Sequence, residues 1–331
     1  MKSYIFRSIL KDEFNAFLDL RHSQGFKDHN RYIWEYIDRY LTDSHVSEKS
    51  MTPERVEGWI SSDCAGLKDK SVDGFIAAYN VFAKYLISVG IPAYIYPHAL
   101  SMRRSKYVPY VFTNDEMTTM FRIADSGGSS KDRLSRIQFP ALLRILYGCG
   151  LRLSEALALR IRDVDFDIGV LLIRNGKGNK DRLVAMDMSL TEVLKLYQAS
   201  VLSGKSKDAY LFESNYKDGS RNCAGHHRSP SWARHNFSRI VERAGISIIT
   251  EKNERGICPH CLRHTFVDHS LARQSENGVS SYCALPLISI YLGHEDLTET
   301  QDYAHLTASE CTAILKKTSE KYSGIFPEVP K

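Results

Sequence analysis

The sequence has 331 residues, with 44 lysines and arginines against 39 aspartates and glutamates, so its formal net charge is +5. A hydrophobic fraction of 43% with 25% charged residues is typical of a folded globular protein and excludes a disordered or fibrous chain. This length predicts two domains. Seven cysteines without regular spacing predict reduced thiols rather than a disulfide framework.

Two further features concern the compartment. No apolar run reaches the roughly 18 residues of a membrane-spanning helix, and charged residues interrupt the N-terminal segment before a signal-peptide core can form. Both features predict a cytoplasmic protein. A surplus of five positive charges does not by itself identify a binding partner.

Residues 1–92 predict a small helical bundle, because their apolar residues recur at helical spacing. Thr52 followed by Pro53 predicts the start of one helix, and Gly90 predicts the end of another. The apolar stripes are Phe14, Phe17 and Leu18; Tyr32, Ile33, Tyr36, Ile37, Tyr40 and Leu41; Val56, Trp59 and Ile60; and Val72, Phe75, Ile76, Tyr79, Phe82 and Leu86.

A linker is predicted at 93–112, where the helical pattern gives way to prolines and a basic cluster. The second predicted domain, 113–331, opens with a capping box of Thr113 and Glu116, and Ser189 with Glu192 predicts a later helix start. The β-rich runs VLLIR and RLVAM, around a turn at Asn175-Gly176, predict a small antiparallel sheet. The predicted fold class is therefore mainly α with a small antiparallel β-sheet.

Five motifs in the second domain carry candidate chemistry: YGCGLRLSEALALR, RNGKGNKDR, CPHCLRHTF, YLGHEDL and TETQDYAHL. Taken singly, each has an ordinary structural interpretation. An arginine at a helix start, such as Arg152, commonly pairs with a nearby carboxylate, here Glu155. A lysine in a glycine-rich turn is commonly solvated. The candidate residues are Arg152, Lys177, His260, Arg263, His294 and Tyr303.

Taken in order, these motifs resemble those of the tyrosine recombinases, also called the phage integrase family. The family's boxes are matched by GLRLSEALAL, GKGNKDR, HCLRHTF and LGHEDLTETQDYAHL, within residues 147–306. The resemblance implies a site-specific DNA recombinase with a helical core-DNA-binding domain at 1–92 and a catalytic domain with a C-terminal helix at 113–331. It also implies that the enzyme works without cofactor, metal or ATP.

The residue types suit attack on a phosphodiester, whose negative charge grows on the non-bridging oxygens in the transition state. Arg152 and Arg263 are candidates to bind those oxygens, because a guanidinium stays charged and binds phosphate as a bidentate fork. His260 and His294 are candidates to donate to the same oxygens or to move the proton of the nucleophile.

The remaining roles follow from the resemblance. Tyr303 is the implied nucleophile, which forms a 3′-phosphotyrosyl enzyme and releases a 5′-hydroxyl. A phenol with a pKa of about 10 needs nearby cations or a base to react at neutral pH. Lys177 resembles the family's general acid for the departing 5′-oxygen. Glu155 resembles the carboxylate that orients Arg152 or a histidine.

The resemblance further implies a homotetramer on two DNA duplexes, each with inverted-repeat core sites. The C-terminal segment predicts an amphipathic helix with Cys311, Ile314 and Leu315, which would pack on a neighbouring protomer. A mobile element or plasmid is the expected context, and integration, excision, inversion and resolution all stay open. Tentative DNA contacts are the linker cations Arg103, Arg104 and Lys106 and the basic face of a later helix with Arg234, Arg239 and Arg243.

Two features depart from the family pattern. The segment between His260 and His294 is longer than usual, which predicts an enlarged loop near Ser275–Ala284. Cysteines and histidines in the motif CPHC and upstream also allow a zinc interpretation, with Cys258, Cys261, Cys223 and either His226 or His227 as ligands. Zinc is disfavoured, because two thiolates beside the expected phosphate site would oppose an anion.

Two other functions remain open on the sequence. A type IB topoisomerase shares the catalytic residue types but reseals the same strand. The all-helical N-terminal domain and the short GKGNKDR hairpin look more like those of a recombinase. A DNA-binding regulator of the same fold without chemistry is the second alternative. The presence of every catalytic residue type counts against it.

Overall fold

A computed structural model describes most of the chain, which divides into two compact units, Met1–Lys106 and Tyr107–Lys331. The backbone alone is described at 69–70, 217–218, 221–222 and 281–282. Predicted features outside the described residues are Arg103, Arg104, Lys106, Lys177, Cys223, His294, Tyr303 and the C-terminal helix. The described residues are 4–26, 31–67, 69–97, 109–127, 132–174, 176, 180–214, 217–218, 221–222, 225–248 and 256–293.

The first unit is helical, as predicted, and its described core is rich in aromatic rings. Phe14 stacks between Phe6 and Phe82, with ring centroids 4.8 and 4.3 Å away. Thr52 caps its helix by accepting from the Arg55 amide, and Gly90 follows the last helix with φ +83°. The helices are α1 (Lys11–Ser23), α2 (Arg31–Asp43), α3 (Pro53–Asp63) and α4 (Asp69–Ser88).

Helix α2 buries Ile33, Ile37 and Leu41 of the predicted stripe, but not all of it. Trp34 and Asp38 are buried, whereas Tyr32 and Tyr36 are exposed. The reason is that the Asp38 carboxylate accepts hydrogen bonds from the Tyr4 hydroxyl and from the backbone amides of residues 7 and 8. A buried carboxylate with these donors turns α2 so that Tyr32 and Tyr36 are exposed.

The predicted linker, 93–112, is attached at both ends to neighbouring structure. At its start, Ala93 forms a parallel bridge with Met51, and the Tyr79 hydroxyl donates to the Tyr94 carbonyl at 2.6 Å. At its end, the Phe112 amide donates to Thr265 Oγ1 at 3.0 Å within the second unit. Each unit thus holds its own end of the segment.

The second unit is mainly helical around a small sheet, which confirms the predicted fold class. Its central helix, Arg133–Gly148, contacts the helices Asn114–Asp125, Met188–Tyr197, Pro230–Arg243 and His260–Glu276. A 3₁₀ turn at Ile161–Asp163 comes directly before the first strand, and a π turn at Gln198–Leu202 follows the helix Met188–Tyr197. The elements are α5 (Asn114–Asp125), α6 (Arg133–Gly148), α7 (Leu153–Ala158), β1 (Val164–Asp165), β2 (Val170–Ile173), β3 (Arg182–Ala185), α8 (Met188–Tyr197), β4 (Lys217–Asp218), β5 (Arg221–Asn222), α9 (Pro230–Arg243), α10 (His260–Glu276) and α11 (Ser281–Leu292).

The sheet has the order β1-β2-β3 and is antiparallel, with Ile173 opposite Arg182 and Val170 opposite Ala185. Both predicted strands are confirmed. The capping box of Thr113 and Glu116 is also confirmed. The predicted start of α8 at Ser189 is wrong, because Asp187 caps this helix by accepting from the Ser189 amide at 2.8 Å.

The connection between α10 and α11 is short. Helix α10 ends at Glu276 and α11 begins at Ser281, so the prediction of an enlarged loop near Ser275–Ala284 is wrong. Most of this segment is helical instead, and α11 continues through Pro286. None of the helices within the described ranges combines the length and the apolar character needed to cross a bilayer.

Candidate active site

Arg152 stands at the start of α7, beside a buried carboxylate. Its amide donates to Glu155 Oε2 at 2.9 Å, which is the helix-capping contact of a glutamate in the first turn. Its Nη1 donates to Glu155 Oε1, also at 2.9 Å. The Arg152 side chain is 23% exposed, whereas Glu155 is 7% exposed. The Arg152 guanidinium is therefore held by the protein and still open to an external anion.

Arg263 lies in the first turn of α10 and is almost fully buried, at 1% exposure. Its Nη1 donates to the Gly150 carbonyl at 2.8 Å, and its Nη2 donates to the Leu292 carbonyl at 3.0 Å. These bonds occupy two of the five N–H donors of a guanidinium. Arg263 thus ties the loop before Arg152 to the end of α11.

Gly150 permits that connection because no side chain fits in its place. Its φ is +58°, and a Cβ there would lie 2.6 Å from Phe266 Cδ1 and 2.9 Å from Leu292 Cδ2. The loop can therefore approach α10 and α11 closely enough for its carbonyl to reach Arg263.

His260 is the first residue of α10, three positions before Arg263 and so on the same helix face. Its ring meets the ring of His264 edge-on, with centroids 4.7 Å apart. The beginning of a helix favours an anion, since its backbone N–H groups and dipole point outward there. His260 and Arg263 thus share a helix turn suited to negative charge.

Arg182 is a site residue that sequence reasoning missed. Its Nη1 and Nη2 donate to Glu155 Oε1 and Oε2 at 3.1 and 2.9 Å, and its Nε donates to the Tyr291 carbonyl at 3.1 Å. Burial raises the pKa of Glu155, but the hydrogen bonds and charge of Arg182, with smaller contributions from Arg152, hold that pKa below its ordinary value.

The sequence does contain a signal for Arg182. Side chains alternate across a strand, so Arg182 in RLVAM lies on the same face as Val184, which is buried. Leu183, between them, is exposed. A charged residue on the core face of a strand needs a buried partner, which here is Glu155.

The structure brings together four of the site side chains: Arg152, Glu155, Arg182 and Arg263. Lys177, His294 and Tyr303 lie outside the described residues. Gly176 and Gly293, which precede Lys177 and His294 in the sequence, both lie against Arg182. A Cβ on Gly176 would be 3.2 Å from Arg182 Nη1, and a Cβ on Gly293 would be 3.0 Å from Arg182 Cδ.

Helix α9 does not present its three predicted DNA-contacting arginines on one face. Arg234 and Arg239 are five residues apart, which is about 140° around a helix of 3.6 residues per turn. Arg239 and Arg243, four residues apart, line one small groove with Pro140. Only this second pair forms a basic face, and Phe237 lies in the core as predicted.

The cysteines of CPHC do not form a disulfide. The Cys258 amide donates to Cys261 Sγ at 3.4 Å, and Cys261 is buried in the core of the second unit. Within the described part of the chain, no three His, Cys, Asp or Glu residues are grouped as metal ligands. Cys261 thus has a packing role, whereas Cys223 of the zinc interpretation lies outside the described residues.

Comparison with known proteins identifies relatives of the whole chain. The family model described as the phage integrase family matches residues 111–310. Tyrosine recombinase XerC of Oceanobacillus iheyensis is 26% identical over 318 residues, covering 95% of this chain and 90% of XerC. Tyrosine recombinase XerD of Rhizobium meliloti is 29% identical over 244 residues, covering 73% of this chain and 71% of XerD.

A solved structure shows the same fold. The Tn1549 transposon integrase, in complex with circular intermediate DNA, aligns with a TM-score of 0.60 at 16% identity. The alignment covers 88% of this chain and 94% of that chain. The residues matched by the family model include all four side chains that the structure brings together.

Gly150→Ala should destabilise the second unit through both backbone strain and overlap. A positive φ costs an alanine about 1–2 kcal/mol, and overpacking against Phe266 and Leu292 adds about 1–3 kcal/mol. Gly245→Ala is the matched control, because Gly245 has φ +70° but open space around its Cα. Urea unfolding should show a larger loss of free energy of unfolding for Gly150→Ala, and equal losses would contradict the close packing.

Glu155 should also make the stability of the second unit depend on pH. A carboxyl whose pKa is lowered by folding contributes stability that is complete above its unfolded pKa of about 4.3 and is lost as the pH falls through the folded value. Urea unfolding at a series of pH values should show that Glu155→Gln removes this component. Glu192→Gln, at an exposed position of α8, should leave the pH profile unchanged. A Glu155→Gln profile parallel to that of the parent would contradict the assignment.

Proposed function

Because this chain belongs to the phage integrase family, we propose that it is a site-specific DNA recombinase. It would cleave and rejoin DNA strands through a 3′-phosphotyrosyl intermediate. The observation that carries this proposal is the pairing of the partly exposed Arg152 with Glu155, at a helix start that Arg263 ties to α10 and α11. This arrangement supplies fixed positive charge where a phosphodiester can reach it.

The proposed first step is attack on phosphorus by the hydroxyl of Tyr303. The phosphorus–O3′ linkage of the substrate is kept as the bond to 5′-oxygen breaks, so a 3′-phosphotyrosyl enzyme and a 5′-hydroxyl result. Arg152 and Arg263 would neutralise the non-bridging oxygens, and His260 and His294 would donate to them or take the phenol proton. These cations also make the phenol easier to deprotonate.

The departing 5′-oxygen needs a proton, because an alkoxide is a poor leaving group at neutral pH. Lys177, which lies between β2 and β3 in the sequence, is the proposed donor. Attack by a 5′-hydroxyl on the phosphotyrosyl bond then reverses the step on a new strand. Each step exchanges one phosphodiester for another, so the bond energy is conserved and the cycle consumes no ATP and requires no metal.

The proposed partner is double-stranded DNA with inverted-repeat core sites, bound in the cytoplasm. Residues 1–92 would form the core-DNA-binding domain and residues 113–331 the catalytic domain. Cations outside the site would contact the phosphate backbone, which supplies affinity without reading the sequence. The candidates are Arg103, Arg104 and Lys106 before the catalytic domain and Arg234, Arg239 and Arg243 on α9, of which the last two share a face.

Tyr303→Phe should abolish covalent attachment to DNA, because phenylalanine has no hydroxyl to attack phosphorus. The substrates are nicked duplexes that tile the DNA flanking the gene of this protein, and the adduct is measured on a denaturing gel. Tyr32→Phe, at an exposed position of the first unit, should form adducts as the parent does.

Each other outcome of this experiment is informative. Adducts formed by Tyr303→Phe would contradict Tyr303 as nucleophile. A parent that binds the duplexes but forms no adduct would favour the catalytically silent regulator. Adducts and relaxation of supercoiled DNA without strand exchange between two duplexes would favour the type IB topoisomerase.

We also propose that the protein acts as a homotetramer on two duplexes, coupled through its C-terminal segment. Deleting the residues after Ala308 removes the predicted apolar positions at residues 311, 314 and 315. The deletion should weaken assembly of two duplexes, measured by analytical ultracentrifugation, more than binding to a single site. Equal losses of assembly and of single-site binding would contradict this role.

A further inference from the structure

We propose that Arg182 is a positioning residue that keeps the positive charge of Arg152 available to the substrate phosphate, because it neutralises Glu155. This inference rests on the proposed function, in which Arg152 binds the phosphate. It assigns to Arg182 a role that acts through Glu155 and Arg152 and involves no contact with DNA.

The geometry makes Arg182 the principal partner of the carboxylate. Arg182 binds both oxygens of Glu155 as a fork, at 3.1 and 2.9 Å, whereas the Arg152 side chain binds only Oε1, at 2.9 Å. A bidentate pair of this kind is stronger and better oriented than a single bond. Arg182 is also the more buried arginine, with 12% of its side chain exposed against 23% for Arg152.

The cluster of Arg152, Arg182 and Glu155 carries a net positive charge. Two guanidinium groups bind one carboxylate, so the sum is +1 when Glu155 is ionised. The exposed member of the cluster is Arg152. An incoming phosphate therefore meets a guanidinium whose partner carboxylate is already neutralised from the other side.

Without Arg182, the same carboxylate would oppose the substrate. A buried charge that loses one partner binds the remaining partner more tightly, because an unpaired charge in the interior is costly. Glu155 and Arg152 would then form a neutral pair, and a phosphate would have to compete with Glu155 for the guanidinium. A phosphate that won this competition would leave Glu155 beside it without a countercharge.

Arg182 is held in place independently of Glu155. It begins β3, opposite Ile173, and its Nε donates to the Tyr291 carbonyl at 3.1 Å. Gly293 lies directly against its side chain, since a Cβ on Gly293 would be 3.0 Å from Arg182 Cδ. A side chain fixed by a strand and by a helix end provides a constant countercharge.

The experiment measures single-turnover adduct formation on a nicked duplex that the parent cleaves. Arg182→Met should slow cleavage by about tenfold or more, which is less than the roughly 100- to 1,000-fold effect of removing a direct transition-state donor. Adding Glu155→Gln to Arg182→Met restores the charge of +1 and should speed cleavage. The same Glu155→Gln change in the parent should slow it or leave it unchanged.

The opposite effects of Glu155→Gln in the two backgrounds distinguish positioning by charge from a structural role. If Arg182 had only a structural role, the losses of cleavage rate from the two changes would add. Arg182→Lys preserves the charge without the fork and should stay within a few-fold of the parent. If circular dichroism shows that Arg182→Met is unfolded, Arg182→Gln is used in its place. The expected results are the same. The proposal is overturned if Glu155→Gln fails to speed cleavage in the background of the neutral Arg182 variant.

Arg228 supplies the matched control, because it is another arginine of the second unit with little exposure that binds a carboxylate. It donates to Asp132 Oδ2 and Gln138 Oε1, both at 2.7 Å. Arg228→Met should cost stability, and adding Asp132→Asn should not speed cleavage. A rescue by Asp132→Asn would show that the reversal is not specific to the site.

A second measurement decides the inference if the parent forms no adduct, an outcome that would count against the proposed chemistry alone. The probe is a fluorescein-labelled duplex from the DNA flanking the gene, and the measurement is the salt dependence of its dissociation constant. Arg182→Met should reduce the slope by about 0.9, the value for one phosphate contact on B-DNA, and Glu155→Gln should restore it. An unchanged slope in Arg182→Met would overturn the proposal.

Discussion

A single buried carboxylate constrains the described part of the active site. Glu155 is 7% exposed, and an ionised group in such a place is tolerated only when its partners replace water. Its partners come from separate parts of the chain, since Arg152 belongs to the same helix turn and Arg182 to a strand that begins 27 residues later. Satisfying this carboxylate therefore fixes the start of α7 relative to β3.

The end of α11 depends on the same kind of interaction. The last carbonyls of a helix have no partner within it and attract cations. Here the Tyr291 carbonyl accepts from Arg182 and the Leu292 carbonyl accepts from Arg263, before Gly293 turns the chain at φ +68°. Two arginines from different elements thus anchor the point at which the chain continues to His294. The geometry of the motifs is maintained by guanidinium groups that act inside the protein.

Local patterns in the sequence predict the elements well and their contacts poorly. The capping box at Thr113 and the alternating run around Val184 each depend on residues within a few positions, and both are confirmed. The burial of Asp38 in α2 was not predicted, because its hydrogen-bond donors come from a segment about 30 residues earlier. Arg182 was missed for the same reason, since its partners at Glu155 and Tyr291 are 27 and 109 positions away.

The net charge of +5 does not determine how strongly the site attracts a phosphate. A phosphate responds to the charge within a few ångströms, because solvent and salt screen the rest. The electrostatic attraction at Arg152 therefore depends on whether Glu155 is already neutralised, and one arginine on the core face of β3 decides that. A modest total charge is compatible with DNA chemistry when buried cations neutralise the acids that lie nearest to the exposed ones.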